Sequence, residues 1–490
     1  MERQIDSTIP SGMKSIGISF LLMLFGYGVM FLPHYSVDSY SVFQNLWEIK
    51  VSGIKAGRAA YVLWHRIFQL LDLNPVQKQW FGTLLLILAC ALAHVMIFRA
   101  VLKVAPAELS MFRKTVLFGT LLIAFCNPFL LEWFIYVEIT PMYATGVLFS
   151  VWGAVMLIMD NPKAWLLAWI GATAAVLCYQ VTVSFFLIFG AVLILVQYDF
   201  RPGLRVLKKM AGCALLGGIA CATAVLCARV LPLLIGIEPR ASRVSVTGGV
   251  RFVLSVQKRL WKNTLGLTPD YLIAAAAAVA LVVLAFGMFR ENRKNVWWTM
   301  FVLAGCYTAV FLSCIGSGEY WLTARICVPF FAFVSMLLCM AVLRCPAGWL
   351  TALGAVTVLV FGTLVWQNDM ILQDQLYTNR VDQQECLQIE AAISGYEEST
   401  GNQVTKIAVF EDEQVTYTYP GVTHHFAELN QRCMSVPWAI TSVLEFYTGR
   451  QLVPVSERPA ASGFEGENWS SFDPSRQLIF HGDTVYFCIY

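Results

Sequence analysis

The chain predicts a polytopic α-helical membrane protein of about eleven transmembrane helices with a small extracytoplasmic α/β domain at its C-terminal end. First, 58% of its 490 residues are hydrophobic and only 13% are charged. That leaves too little polar surface to cover so much apolar volume in water. Second, roughly eleven apolar runs of about 17–25 residues each reach across a bilayer core. Third, the composition turns polar near residue 367 and stays so to Tyr490.

The runs fall near 14–33, 79–98, 115–131, 134–159, 164–179, 181–197, 210–236, 270–289, 296–314, 322–343 and 347–367. The first is long for a signal peptide and no small-residue cleavage site follows, so it reads as a retained helix. The fifth and sixth are joined only by Cys178-Tyr179-Gln180, which allows two full spans or a re-entrant pair. Residues 1–367 therefore form the membrane domain and 368–490 the polar one.

Lysine and arginine set the orientation. Arg99, Lys103, Arg113 and Lys114 fall between runs two and three, and Arg201, Arg205, Lys208 and Lys209 between six and seven. Arg290, Arg293 and Lys294 separate eight from nine, and Arg344 separates ten from eleven. These alternate connections belong to one side, taken as the cytoplasmic side together with the N-terminus. The outer side then receives the loops 34–78 and 237–269 and the polar tail.

In loop 34–78, Val42, Phe43, Leu46 and Ile49 recur at helical spacing, and so do Tyr61, Trp64, Phe68 and Leu71. Val250–Leu265 has a similar pattern beside Arg251, Lys258, Arg259 and Lys262. Such amphipathic segments suit the headgroup layer, where their cations hold lipid phosphates or anchor to anionic lipid. In the tail, Val381–Ile393 and Val436–Tyr447 read as helices, and Lys406–Phe410 and Thr484–Tyr490 as strands. It contains no nucleophile elbow, P-loop or dinucleotide fingerprint.

The net charge of +3 is spread along the chain without a basic stripe, which sets nucleic acid aside. Most of the fourteen cysteines lie inside apolar runs as small hydrophobes. Cys386, Cys433 and Cys488 in the tail form no disulfide framework, and no metal-ligand spacing occurs. His424-His425 is a pair whose side chains diverge on a strand.

Ionisable groups beside a bilayer are costly and mark function. Asp38 follows the first span at the outer face, where its carboxylate reads either as a proton acceptor or as the cap of a helix starting near Ser39. Glu132 and Glu138 bracket an aromatic stretch on the same side. Arg325, just inside the tenth span after Glu319 and Tyr320, requires an anion: a phosphate, or one of Glu132, Glu138 and Glu319. Tyr179-Gln180 offers hydrogen bonds to a bound sugar or to the backbone of a tight turn.

Asp38, Gly57-Arg58 with an aromatic-rich helix, and Asn127-Pro128-Phe129-Leu130-Leu131-Glu132 followed by Tyr136 and Pro141-Met142 together resemble the bacterial serotype-converting glucosyltransferases of O-antigen. The Tyr179-Gln180 turn and Arg325 fit the same pattern, which runs along nearly the whole chain. Two positions depart from it: Ser39 stands where a second acid is common, and Ala59 where an aromatic is. The resemblance implies a type C membrane glycosyltransferase in the bacterial cell membrane. Such an enzyme passes a sugar, glucose in that family, from a polyprenyl-phosphate donor to a cell-surface glycan on the outer face. Carried over, Asp38 would be the general base, Arg58 and Arg325 would meet the departing phosphate, and Glu132, Glu138, Tyr179, Gln180 and Tyr320 would line the substrate site. No cofactor is expected, and metal dependence stays open. A flippase for a lipid-linked glycan and a glycan polymerase are the alternatives.

Overall fold

The structure is a computed structural model that describes residues 12–490 apart from 107, 240–244, 291, 317–321, 456–462 and 465. Tyr320 and Glu319 lie outside the described residues. Helix dominates, and long apolar helices suited to a membrane form its body. Among the described residues seven helical segments are long and apolar enough to cross one: Gly12–Phe31, Gln79–Val104, Gln180–Gln197, Leu204–Leu234, Leu272–Phe289, Ala324–Arg344 and Ala347–Thr400.

Helix α1 (Gly12–Tyr27) packs on α5 (Gln79–Val104), and between them run three short helices, α2 (Val37–Gln44), α3 (Trp47–Lys55) and α4 (Ala60–Leu70). The loop helices bury Val42, Ile49, Tyr61 and Phe68 in a shared cluster, while Trp47, Leu63, Leu70 and Leu71 stay exposed. The third apolar run does not form one helix. It breaks into α6 (Met111–Leu122) and α7 (Pro128–Ile135) at Asn127-Pro128. The Asn127 side chain accepts from the Leu130 N–H at 3.2 Å and donates to the Ile123 and Ala124 carbonyls at 3.3 and 3.2 Å. The Tyr27 hydroxyl accepts from the Asn127 N–H at 2.8 Å. Irregular backbone among apolar helices survives where protein groups satisfy it in this way.

Then follow α8 (Thr140–Met156) and α9 (Pro162–Cys178), each 17 residues, and α10 (Val183–Gln197), entered through a 3-10 turn at Gln180–Thr182. Beyond these lie α11 (Leu204–Leu234), α12 (Val246–Asn263), α13 (Leu272–Phe289) and α14 (Arg293–Val310), whose start on Arg293, Lys294 and Asn295 makes it more polar than a typical span. After α15 (Leu312–Gly316) and α16 (Ala324–Cys327), α17 (Pro329–Arg344) threads the centre. α17 and α10 are almost wholly buried, whereas α11 turns most of its surface outward.

Three of the basic connections meet. Arg344 pairs with Asp199, and Arg113 donates to the Leu343 and Cys345 carbonyls at 3.3 and 2.9 Å. The connections between runs two and three, six and seven, and ten and eleven therefore share one end of the bundle.

Helix α18 runs unbroken from Leu350 to Thr400, 51 residues. At 1.5 Å per residue that is about 77 Å, well beyond a bilayer core of about 30 Å. The boundary expected at 367/368 thus falls inside a helix, and the helix expected at 381–393 is its polar continuation. Beyond it a four-stranded sheet has the order β2-β1-β4-β3. β1 (Lys406–Glu411) pairs in parallel with β2 (Val453–Pro454) and with β4 (Thr484–Ile489), which pairs antiparallel with β3 (Leu478–His481). The short helices α19 (Ile440–Thr448) and α20 (Pro474–Gln477) complete this part. Its core joins Cys386, Ile389 and Ile393 of α18 with Ile407, Val485, Phe487 and Val443, and takes in Val37 and Tyr40 of α2. The Tyr40 and Tyr447 hydroxyls meet at 3.0 Å. The helix carrying Asp38 is thereby fastened to the polar tail.

Candidate functional site

Ser36, not Asp38, occupies the N-cap of α2, and its backbone N–H donates to Ser39 Oγ at 3.0 Å. Asp38 is the second residue of the helix, so the capping alternative is excluded. Its carboxylate makes no hydrogen bond or ion pair among the described residues and opens onto a cavity of about 300 Å³. Glu48, Arg58, Tyr61, Tyr136, Glu138, Tyr143, Arg325 and Trp438 also line that cavity. Four of the eight residues singled out in the sequence, Asp38, Arg58, Glu138 and Arg325, thus face one space.

Arg58 reaches the cavity because of Gly57. Gly57 adopts φ 73° against α11, where a Cβ would overlap the Ala224 carbonyl oxygen. No side chain fits there, and the positive φ favours glycine in any case. Arg58 Nε donates to Gln180 Oε1 at 3.0 Å and Nη1 to the Tyr61 hydroxyl at 3.3 Å. Its guanidinium also stacks 4.6 Å from the Tyr179 ring centroid. Tyr179 and Gln180 therefore back Arg58 instead of lining the cavity. All these partners are neutral, and no carboxylate pairs with Arg58 among the described residues.

Arg325 is already compensated. Its Nη1 lies 2.5 Å from Glu132 Oε1 and its backbone N–H donates to Glu132 Oε2 at 2.6 Å. Of the carboxylate alternatives for Arg325, Glu132 is present and Glu138 is not. Glu428 from the tail binds the same guanidinium and also the Tyr136 hydroxyl, and Tyr136 lies beneath the arginine at 4.5 Å. Glu132 is fully buried behind the cavity wall, an anchor for Arg325 and not a lining residue.

Glu138, in the turn between α7 and α8, accepts from Ser39 Oγ at 3.0 Å. Burial, and then the Asp38 charge, push its carboxyl up to about 8. Asp38 is exposed to the cavity, yet the surrounding walls raise it above the ordinary aspartate value by desolvation, opposed by the Arg325 charge. Glu428 is raised by burial and by the Glu132 and Asp38 charges. Of the three carboxyls on the cavity wall, Asp38, Glu48 and Glu138, the last keeps its proton near neutral pH beside Asp38, the environment-driven split seen at acid/base sites.

Glu428 and Trp438 were not anticipated, since both arrive from the tail through tertiary contacts. Tyr61 was readable: it stands three residues after Arg58, the spacing that stacks side chains along a helix. His424 bonds Asp374 at 3.0 Å and His425 the Leu429 carbonyl at 3.0 Å. Among the described residues no three His, Cys, Asp or Glu side chains gather as a metal site. No protein family, curated protein or solved structure matches the chain.

Proposed function

We propose that this chain is a polyprenyl-phosphate-sugar-dependent glycosyltransferase. It would move one sugar, glucose by the family resemblance, onto a cell-surface glycan at the outer face of a bacterial cell membrane. The observation that supports this reading is the pairing, in one cavity, of a carboxylate and a guanidinium that have no charged partner among the described residues. A sugar hydroxyl is a poor nucleophile and needs a base, and a departing phosphate needs a fixed cation. The cavity volume of about 300 Å³ stands at the lower bound of small-molecule sites, about 300–1,000 Å³, which suits one sugar better than an oligosaccharide.

In the proposed step the acceptor oxygen attacks the anomeric carbon as its proton passes to Asp38. The bond from that carbon to the phosphate oxygen breaks, and its electron pair leaves with the lipid phosphate, which Arg58 meets. A single displacement of this kind inverts the anomeric centre. Arg325, held by Glu132 and Glu428, fixes the wall beside Asp38 and lowers the cost of its negative charge.

The test is transfer of radiolabelled glucose from polyprenyl-phosphate in isolated membranes. Label should reach glycan with the native chain and not with Asp38→Asn at matched expression. Equal transfer by both removes Asp38 from the reaction. No transfer by either, across several donor sugars with native acceptor present, favours the flippase.

A further inference from the structure

Helix α10 connects two cavities. Its entry turn at Gln180 backs Arg58, and its 15 residues span about 22 Å. Past its far end a second cavity of about 370 Å³ is lined by Arg201, Pro202, Asn292, Lys294 and Asn295. Among the described residues its polar lining consists of two cations and two amides.

Asn292 is already used, since its Oδ1 caps α14 by accepting the Lys294 N–H at 2.9 Å. Asn295 is different. It is only 6% exposed, faces this cavity, and its side-chain amide makes no hydrogen bond among the described residues. Its amide atoms therefore open onto the cavity, where they are free to bond a ligand. Beside it the start of α14 offers the positive end of a helix dipole. Lys294 is exposed without an ion pair among the described residues, and Arg201, 74% exposed, shares Asp199 with Arg344.

Bare apolar side chains flank these donors within two turns on both helices. On α11 they are Leu204 and Leu207, and on α14 Trp297 and Phe301. A soluble anion would have no use for that surface, whereas an amphiphile would. We infer that this cavity binds the phosphate of an anionic lipid, with Arg201, Lys294 and Asn295 as donors and the lipid chains against α11 and α14. The site stands at the opposite end of α10 from Asp38 and does not depend on the transferase reading.

Native mass spectrometry of the full chain, released from micelles doped with phosphatidylglycerol or phosphatidylcholine, tests it. The native protein should retain phosphatidylglycerol in preference to phosphatidylcholine. Arg201→Gln/Lys294→Gln should weaken retention at least tenfold, and Asn295→Leu should weaken it separately. Exposed cations of the polar tail provide the control: Lys406→Gln/Arg476→Gln should leave retention unchanged. Equal retention of the two lipids, or no loss in the Arg201/Lys294 double variant, overturns the site. Displacement of phosphatidylglycerol by millimolar inorganic phosphate overturns the lipid in favour of a soluble phosphate.

Discussion

At the scale of single residues, the cavity separates a charge that is compensated from one that is not. Arg325 sits between Glu132 and Glu428, while among the described residues Arg58 meets Gln180, Tyr61 and Tyr179, all neutral. A half-buried cation without a counter-ion among the described residues adds little to stability, and an apolar side chain of similar volume there is neutral or stabilising. Arg58→Met should therefore leave the thermal transition unchanged or higher. It should also lower kcat/KM for the lipid donor about ten- to hundredfold, the value of a charge-assisted bond of about 1.5–3 kcal/mol. A fall in stability with unaltered kinetics would make Arg58 structural. Asp38→Asn should lower transfer about 10²- to 10⁴-fold, the usual contribution of a general base. The activity profile should rise with pH through a value above that of free aspartate, because burial raises Asp38. Glu138 binds in the fold a proton that the unfolded chain releases above its ordinary 4.5. Its stabilising contribution is full below that value and disappears as pH climbs through about 8. Glu138→Gln should flatten the decline in stability across that window, measured by thermal unfolding at a series of pH values.

At the scale of elements, the apolar runs near 14–33, 79–98, 181–197, 210–236, 270–289, 322–343 and 347–367 each correspond to a long apolar helical segment, because length and hydropathy are local properties. The strands at 406–411 and 484–489 were similarly close to their β-rich stretches. The break inside 115–131 was hidden, since Ile123–Cys126 is as apolar as its neighbours and only Asn127-Pro128 marks the new start. What makes the break tolerable is Tyr27, a hundred residues away, and no local pattern reports that contact. Glu428 and Trp438 escaped for the same reason: a tail folded over α2 brings them in. Asn127→Ala removes a helix cap and the donors to two carbonyls, so it should cost about 1–3 kcal/mol of stability, read from unfolding in mild detergent. The consequence should extend to activity, because α7 carries Glu132 to Arg325.

At the scale of the whole molecule, the two ends differ in character. One end gathers Arg113, Arg201, Lys294 and Arg344 around short connections, and the other carries the Asp38 cavity between the loop helices and the polar tail. The contacts of Arg344 with Asp199 and of Arg113 with Cys345 put three basic connections on one side whatever the fifth and sixth runs do, so the alternation read from lysine and arginine holds through them. Bilayers keep such short basic connections on the cytoplasmic side. Alkaline phosphatase joined after Tyr490 in a bacterial host should accordingly be active, since it folds only outside, and the same reporter inserted after Arg344 should be inactive. The reverse result would turn the Asp38 cavity toward the cytoplasm. A donor carried on the outer leaflet could not then reach it, and the transferase reading would need a donor presented from within.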